Sequence, residues 1–118
     1  MKTYHIYLLF LELEKKIERK NSLPKLEPKE NKILKYIALA NKNNERLGVK
    51  DMMSVSDICS PSAMQTYIRS LVDKGWIYLD KTEDARRKQL RLTKETLQYF
   101  EKLGTAIQKI MVSNKIDE

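Results

Sequence analysis

The sequence is poor in the residues that build metal sites, disulfides and phosphate-binding loops. Among its 118 residues there are one cysteine, one histidine, three glycines and three prolines. A single cysteine excludes a disulfide within the chain and suits a reducing compartment. The lone histidine lacks the partners of a zinc site or a catalytic triad, and the scattered glycines exclude a glycine-rich phosphate loop. We therefore expect no enzyme, no metal and no cofactor.

The lone histidine and cysteine each have a structural explanation. His5 lies in an apolar N-terminal stretch, where we expect it to be structural or interfacial. Cys59 directly precedes a predicted helix. It is either a small buried hydrophobic residue or a redox-sensing thiol, because a helix N-terminus favours the thiolate.

Long hydrophobic runs are also missing. The N-terminal "YHIYLLFLELEKK" has a short apolar run that meets charged residues at once. It is too short for a signal peptide with its cleavage site, or for a membrane span. The sequence therefore predicts a cytoplasmic, unprocessed protein without a membrane partner.

Positive charge, in contrast, is abundant. The formal net charge is +7 and the isoelectric point is about 9.5. Residues 60–94 contribute +4 of this surplus, whereas residues 95–118 contribute −1. Such a surplus attracts polyanions, and its concentration in one segment indicates where a polyanion would bind.

Hydrophobic periodicity and end signals predict five helices and one hairpin. Ser60 and Pro61 are typical of a helix start, and Gly75 is typical of a left-handed helix end. Ile77 and Leu79 are expected to share the inner face of the hairpin with Leu90 and Leu92. The predicted helices are 3–20, 28–41, 49–56, 60–74 and 94–114, and the predicted strands are 76–80 and 89–93.

The first helix is apolar nearly all round in its first half. This is either a well-buried core helix or a helix shared with a second subunit. The second alternative would join it to the apolar stripe of the last helix in a homodimer. The expected dimer-interface residues are Tyr4, Ile6, Leu9, Phe10, Leu13, Ile107, Ile110 and Met111.

The order of the elements predicts a mainly α protein with a small β-hairpin, a winged helix-turn-helix. We expect a single winged-helix domain over residues 1–118. Within it, 1–20 is a dimerisation helix, 28–93 the winged-helix core and 94–118 a second dimerisation helix.

Two segments carry candidate contacts to DNA. On the 60–74 helix, Ser62, Gln65, Thr66 and Arg69 fall on one stripe opposite the apolar face, and Ser60 stands at its start. In a major groove, Gln65 suits adenine and Arg69 suits guanine or a phosphate; Ser62 and Thr66 suit a phosphate or base edge. The helix N-terminus is expected to favour a phosphate. The alternative is an ordinary solvated helix face.

The turn at 81–88 is the second candidate. Its basic residues either discourage edge pairing or form a wing whose arginines enter a minor groove. Asp84 is expected to brace the turn rather than face DNA. The residues assigned to the wing are Asp84, Arg86, Arg87 and Lys88.

The stretch "SPSAMQTYIRSLVDKGWIYLDKTEDARRKQLRLT" resembles the MarR family of winged-helix transcription regulators. The matching features are "LVDKGWI" at the end of the 60–74 helix, which corresponds to the recognition helix of that family, the Asp84-Ala85-Arg86 wing signature, and Leu92-Thr93 before the next helix. The length is similar to that of the SarA-like small members. The resemblance implies a DNA-binding homodimer whose terminal helices form the interface and whose Arg86 enters the minor groove.

The function expected from the sequence is sequence-specific binding of double-stranded DNA by a homodimeric transcription regulator. Two alternatives stay open: a winged-helix protein for plasmid or phage replication or partition, and a winged-helix module for protein–protein contact. A small-molecule effector is compatible with the first.

Overall fold

The computed structural model describes residues 2–81 and 88–116, with side chains as far as residue 113. Within these ranges lie five helices and a two-stranded antiparallel sheet, and the predicted fold class is confirmed. The elements are α1 (Thr3–Lys20), α2 (Pro28–Lys42), α3 (Val49–Met53), α4 (Pro61–Asp73), β1 (Ile77–Lys81), β2 (Lys88–Leu92) and α5 (Lys94–Ile116).

The predicted helix starts are confirmed by their caps. Pro28 and Pro61 occupy the first turns of α2 and α4, where their missing N–H costs no hydrogen bond. The N-cap of α4 is Ser60, and the Thr93 hydroxyl accepts from the Thr96 amide at the start of α5 at 3.2 Å. These local signals depend on neighbouring residues alone, which is why the sequence predicts them well.

The prediction for α3 is wrong at its C-terminal end, because the helix ends at Met53 rather than at residue 56. The amides of Ser54 and Val55 bond to carbonyls only three residues back, on Asp51 and Met52. Hydrogen bonds over three residues are those of a 3₁₀ turn, so the α-helix ends here before its second turn is complete.

The chain divides into two compact units, residues 23–96 and residues 1–22 with 97–118. In the first unit, α2 contacts both α4 and β2, and α3 contacts α4. The apolar side chains between these elements are fully buried. Their removal from water is a main source of the stability of this unit. The core includes Ile33, Leu34, Ile37, Met52, Met64, Leu71, Ile77 and Leu90. The assignment of the chain to a single domain stays a prediction.

The hairpin has a simple register, in which Ile77 faces Leu92 and Leu79 faces Leu90. Ile77, Leu90 and Leu92 are buried, as predicted. The prediction for Leu79 is wrong, because 36% of it is exposed. Leu79 lies on β1. Strand β2, which carries Leu90 and Leu92, is covered on its other side by α2, α3 and the loop between them.

That other side of β2 is held by residues from the end of α2 and the following loop. The Leu90 amide donates to the Leu47 carbonyl at 2.8 Å. The Asn41 side chain donates to the Leu90 carbonyl at 3.0 Å and accepts from the Leu92 amide at 3.2 Å. The Asn41 side chain thus supplies the hydrogen bonds that a neighbouring strand would otherwise give to the Leu90 carbonyl and the Leu92 amide.

The C-terminal end of α4 is fixed by the residues that follow it. Gly75 has φ +84, in the left-handed region that glycine adopts without strain. The Trp76 indole donates to the Pro24 carbonyl at 2.9 Å, and the buried Thr96 hydroxyl donates to the Trp76 carbonyl at 2.6 Å. The C-terminal end of α4 is therefore held by contacts with Pro24, before the helix in the chain, and with Thr96, after it.

In the second unit, α1 has no buried residue, while Ala106 and Ile110 of α5 are buried. Burial, followed by the nearby Glu18 and Glu14 carboxylates of α1, raises the pKa of the Tyr99 hydroxyl on α5. No helix among the described residues is long and apolar enough to cross a membrane.

Candidate nucleic-acid interface

Helix α4 presents one apolar face and one polar face, as its sequence spacing predicts. Met64, Ile68 and Leu71 point into the core and are at most 4% exposed. On the opposite side the structure exposes all four residues of the predicted stripe, which are Ser62, Gln65, Thr66 and Arg69. The stripe contains no acidic residue, so nothing on it would repel a polyanion.

The hydroxyl groups at the start of α4 are used mainly within the helix. The Ser60 hydroxyl accepts from the Ala63 amide at 3.3 Å and lies 3.4 Å from the Ser62 hydroxyl. The Thr66 hydroxyl donates to the Ser62 carbonyl at 3.3 Å. One of the two serine protons and the threonine proton are therefore already committed, since each hydroxyl has a single proton to donate.

The backbone at this end of α4 is similarly engaged. Pro61 has no N–H, the Ala63 amide bonds to the Ser60 side chain, and the Met64 amide bonds to the Ser60 carbonyl at 2.9 Å. Among the described residues, only the Ser62 amide of this turn keeps its N–H without a partner. This leaves little of the phosphate-binding capacity that a helix N-terminus normally offers.

Gln65 and Arg69 differ from the hydroxyl residues. In the described part of the chain, neither side chain makes a hydrogen bond or an ion pair, and both are exposed. They lie four residues apart, on the same side of the helix. Their amide and guanidinium groups are therefore available to a partner without breaking an existing bond.

The hairpin contributes a second positive feature. Lys81 and Lys88 face each other in the register and are both exposed. Like charges directly opposite each other on a sheet are destabilising unless an anion lies between or beside them. Farther along the hairpin, the Arg91 guanidinium is paired with the Asp80 carboxylate at 3.3 Å.

Lys88, predicted to lie in the turn at 81–88, is instead the first residue of β2. Lys81, for which the sequence predicts no role, is the last residue of β1 and faces Lys88 across the hairpin. The other predicted wing residues, Asp84, Arg86 and Arg87, lie outside the described residues. Their assignments stay predictions.

A buried carboxylate anchors the far end of α4. Glu30 of α2 is 1% exposed. It accepts from the Lys74 ammonium at 2.6 Å, the Ser70 hydroxyl at 2.7 Å and the Glu27 amide at 2.8 Å. Burial by itself raises the pKa of the Glu30 carboxyl, but these hydrogen bonds and the Lys74 charge outweigh it and hold the pKa below 4.5.

Glu30 therefore remains charged at neutral pH and ties the start of α2 to the last turn of α4. The sequence does not predict the contacts with Ser70 and Lys74, because these residues lie 40 and 44 positions from Glu30. No local pattern contains that pairing.

The apolar surface of the second unit is only partly covered by other residues of the same chain. Of the predicted interface residues, Tyr4 is 57% exposed, Ile107 45% and Met111 56%. Leu9 is exposed as well, while Ile6, Phe10 and Leu13 are half-buried. The expectation of a well-buried core helix is therefore wrong for α1, which has no fully buried residue.

Ile110 stands apart from the other predicted interface residues. It is only 6% exposed within its own chain, so it has little surface left to contribute to contact with a partner. The α5 positions with surface available are its neighbours Ile107, Met111 and Val112.

The lone histidine and cysteine take unremarkable positions. His5 is exposed and its ring centroid lies 4.3 Å from that of Tyr4. Cys59 is a half-buried free thiol, and a redox role for it stays a prediction. Among the described residues, no group of histidine, cysteine, aspartate and glutamate could hold a metal ion.

No protein-family model and no curated protein sequence matches the chain. Solved structures do match. The whole chain superposes on 83% of Staphylococcus aureus MepR bound to ethidium bromide, with a TM-score of 0.66 and 17% identity. The chain has the fold of MepR.

A second structure is that of MepR described as a transcription regulator of the S. aureus multidrug efflux pump MepA. It gives a TM-score of 0.53 at 17% identity, over the whole chain and 84% of MepR. The resemblance to MarR-family winged-helix regulators is confirmed at the level of the fold. Both structures are of MepR, which is described as a transcription regulator.

Proposed function

We propose that this protein is a homodimeric transcription regulator that binds double-stranded DNA in the cytoplasm. Helix α4 would lie in the major groove, with the wing of residues 81–88 at the adjacent minor groove. The observation that carries the proposal is the polar stripe of α4, exposed in full and free of acids, opposite a face that is buried in a winged-helix core.

The stripe supports base recognition because its two longest side chains are unengaged. An unpaired glutamine can bond to both N6 and N7 of adenine, and an unpaired arginine to O6 and N7 of guanine. Gln65 and Arg69 have these functional groups at adjacent turns of one helix. The buried Glu30 group supports the proposal further, since it holds the last turn of α4 in a fixed direction.

The hairpin supports a contact with the DNA backbone. The mutual repulsion of Lys81 and Lys88 would be relieved by a phosphate beside them. We place Arg86 in the minor groove and assign Arg87 and Lys88 to phosphate attraction. Arg86→Ala should weaken DNA binding with the melting temperature nearly unchanged, and unaltered affinity would remove the wing from the proposal.

A homodimer would cover the apolar surface of the second unit. Tyr7 and Leu8 of α1 and Val112 of α5 are 62%, 47% and 62% exposed, and neighbouring apolar residues of both helices are exposed as well. Such clusters on a small protein mark interaction sites. A two-fold dimer predicts half-sites about one DNA turn apart, and a monomeric mass in light scattering at micromolar concentration would contradict it.

A small-molecule effector is a further part of the proposal, since one MepR structure holds ethidium bromide. Titration of this protein with ethidium, followed by its fluorescence in the absence of DNA, tests whether the chain binds a similar cation. No change in fluorescence would remove this ligand class from the proposal.

The contact with DNA is tested by fluorescence anisotropy on a random duplex and on a selected site. Gln65→Ala and Arg69→Ala should each reduce discrimination between the two by about 1–3 kcal/mol if they bond to bases. Arg19→Ala, which removes one charge from an exposed position of α1, is the control. Equal losses on both duplexes would reassign Gln65 and Arg69 to phosphates.

The salt dependence separates DNA binding from a role in protein–protein contact. The affinity should fall with salt with a log–log slope of about −0.9 for each phosphate neutralised. An absent or salt-insensitive interaction with DNA would favour the protein-contact alternative.

A further inference from the structure

The hydroxyl proton of Thr66 is already used inside α4, and this restricts what the residue can recognise. The hydroxyl donates to the Ser62 carbonyl one turn earlier, at 3.3 Å. A threonine has one proton to donate. The exposed side chain of Thr66 therefore offers its surroundings the methyl group and oxygen lone pairs, but no donor.

Without a donor, Thr66 is poorly suited to the partners that a surface hydroxyl usually binds. Phosphate oxygens only accept hydrogen bonds, and so do N7 and O6 of guanine. What the major groove offers to a methyl group is the C5-methyl of thymine, which makes apolar contacts with side chains such as threonine. Because the oxygen is bonded to its own helix, the methyl group of Thr66 can contact a partner without breaking that bond.

The neighbouring Gln65 points to the same base pair. Its unengaged amide suits the N6 and N7 atoms of adenine, and each adenine in a duplex is paired with a thymine. Adjacent residues on the exposed face of α4 can reach the two edges of one base pair or of neighbouring pairs. The chemistry of positions 65 and 66 is therefore consistent with a step rich in A·T pairs.

We infer that Thr66 is a specificity-determining residue that contacts the C5-methyl group of a thymine in each half-site and does not bind phosphate. The inference rests on the proposed function, because it requires α4 to lie in a major groove. It departs from the sequence-based expectation that Thr66 binds a phosphate or base edge through its hydroxyl.

Two substitutions separate the methyl group from the hydroxyl. Thr66→Val keeps the methyl and the branched shape, whereas Thr66→Ser keeps the hydroxyl and removes the methyl. Thr105→Val is the matched control, since Thr105 of α5 is exposed and its hydroxyl donates to the Glu101 carbonyl at 3.0 Å in the same way. The melting temperatures of Thr66→Val and Thr105→Val should shift alike.

The DNA is a site selected by the wild-type protein, with each thymine replaced in turn by deoxyuridine, which lacks the methyl group. We expect the wild-type protein and Thr66→Val to lose about fourfold in affinity at one thymine of each half-site. This is about 0.8 kcal/mol, the value for one buried methylene-sized group. Thr66→Ser removes the methyl group from both subunits of the dimer, so it should bind the unmodified site about sixteenfold more weakly and be insensitive to deoxyuridine at that position.

Other outcomes would overturn the inference. If Thr66→Val loses affinity equally on the selected site and on random DNA, the hydroxyl is a phosphate donor. If no deoxyuridine position affects the wild-type protein, Thr66 contacts no thymine methyl. If the wild-type protein selects no site at all, the proposed function fails and the inference falls with it.

Discussion

The buried carboxylate of Glu30 offers a quantitative test of how α4 is held. We consider Glu30→Gln, which preserves the size of the side chain and removes its charge. The amide oxygen can still accept from the Glu27 amide and the Lys74 ammonium, and the Ser70 hydroxyl can turn to accept from the new NH₂ group. The substitution therefore isolates the contribution of the charge from that of the packing.

The expected loss of stability at pH 7 is about 2 kcal/mol. Hydrogen bonds to charged groups contribute about 1.5–3 kcal/mol, against about 0.5–1.5 kcal/mol for neutral ones. Removing one member of a fully buried ion pair costs more, about 3–5 kcal/mol. The loss should lie below that range because the Lys74 side chain is 26% exposed and can be hydrated again.

The pH dependence has a definite sign. The folded-state pKa of Glu30 lies below its ordinary value of 4.5. The charged carboxylate therefore stabilises the fold above about pH 4.5, and this contribution is lost as the pH falls through the folded-state pKa. Because Glu30→Gln lacks that contribution at every pH, the difference between the two proteins should shrink on acidification.

Urea denaturation at fixed protein concentration, at several pH values between 3 and 7, measures this difference. At pH 7 the midpoint should shift by about 1 M. Glu45→Gln is the control, since Glu45 is exposed and its side chain makes no hydrogen bond among the described residues. A Glu30→Gln protein as stable as wild type, or a difference that does not change with pH, would refute this account of the α2–α4 contact.

Two further substitutions test the supports of the hairpin and of α4. Asn41→Ala should destabilise the fold by about 2–4 kcal/mol in denaturant unfolding, because it leaves the Leu90 carbonyl and the Leu92 amide without their partner; a loss under 1 kcal/mol would mean that water replaces the side chain. Gly75→Ala should cost about 1–2 kcal/mol through its positive φ, although the added Cβ would meet only Leu23, at 3.4 Å; an unchanged melting temperature would contradict this.

The features that the sequence predicts well are those encoded by neighbouring residues. Ser60 and Pro61 mark the start of α4, and Gly75 marks its end. The exposed stripe of α4 follows from helical spacing once the buried face is known. These signals need no knowledge of the rest of the chain.

The features that the sequence does not predict depend on distant partners. Asn41 bonds to Leu90 across 49 residues, and the Glu30 group joins residues 40 and 44 positions apart. Alternation predicts that Leu79 faces Leu90 across the hairpin, but it does not predict that Leu79 is 36% exposed while Leu90 is buried. In each case the sequence indicates whether a side chain is polar or apolar. Its hydrogen-bond partners and its exposure depend on contacts with residues far away in the chain.

The central claim is that α4 recognises specific DNA within a two-fold dimer. The most direct test is selection of bound sequences from a random duplex library, followed by the mass of the complex in solution. We predict enrichment of a pseudo-palindrome with half-sites about one turn apart, bound by two chains. Recovery of unenriched DNA, or of an asymmetric site bound by one chain, would contradict the claim.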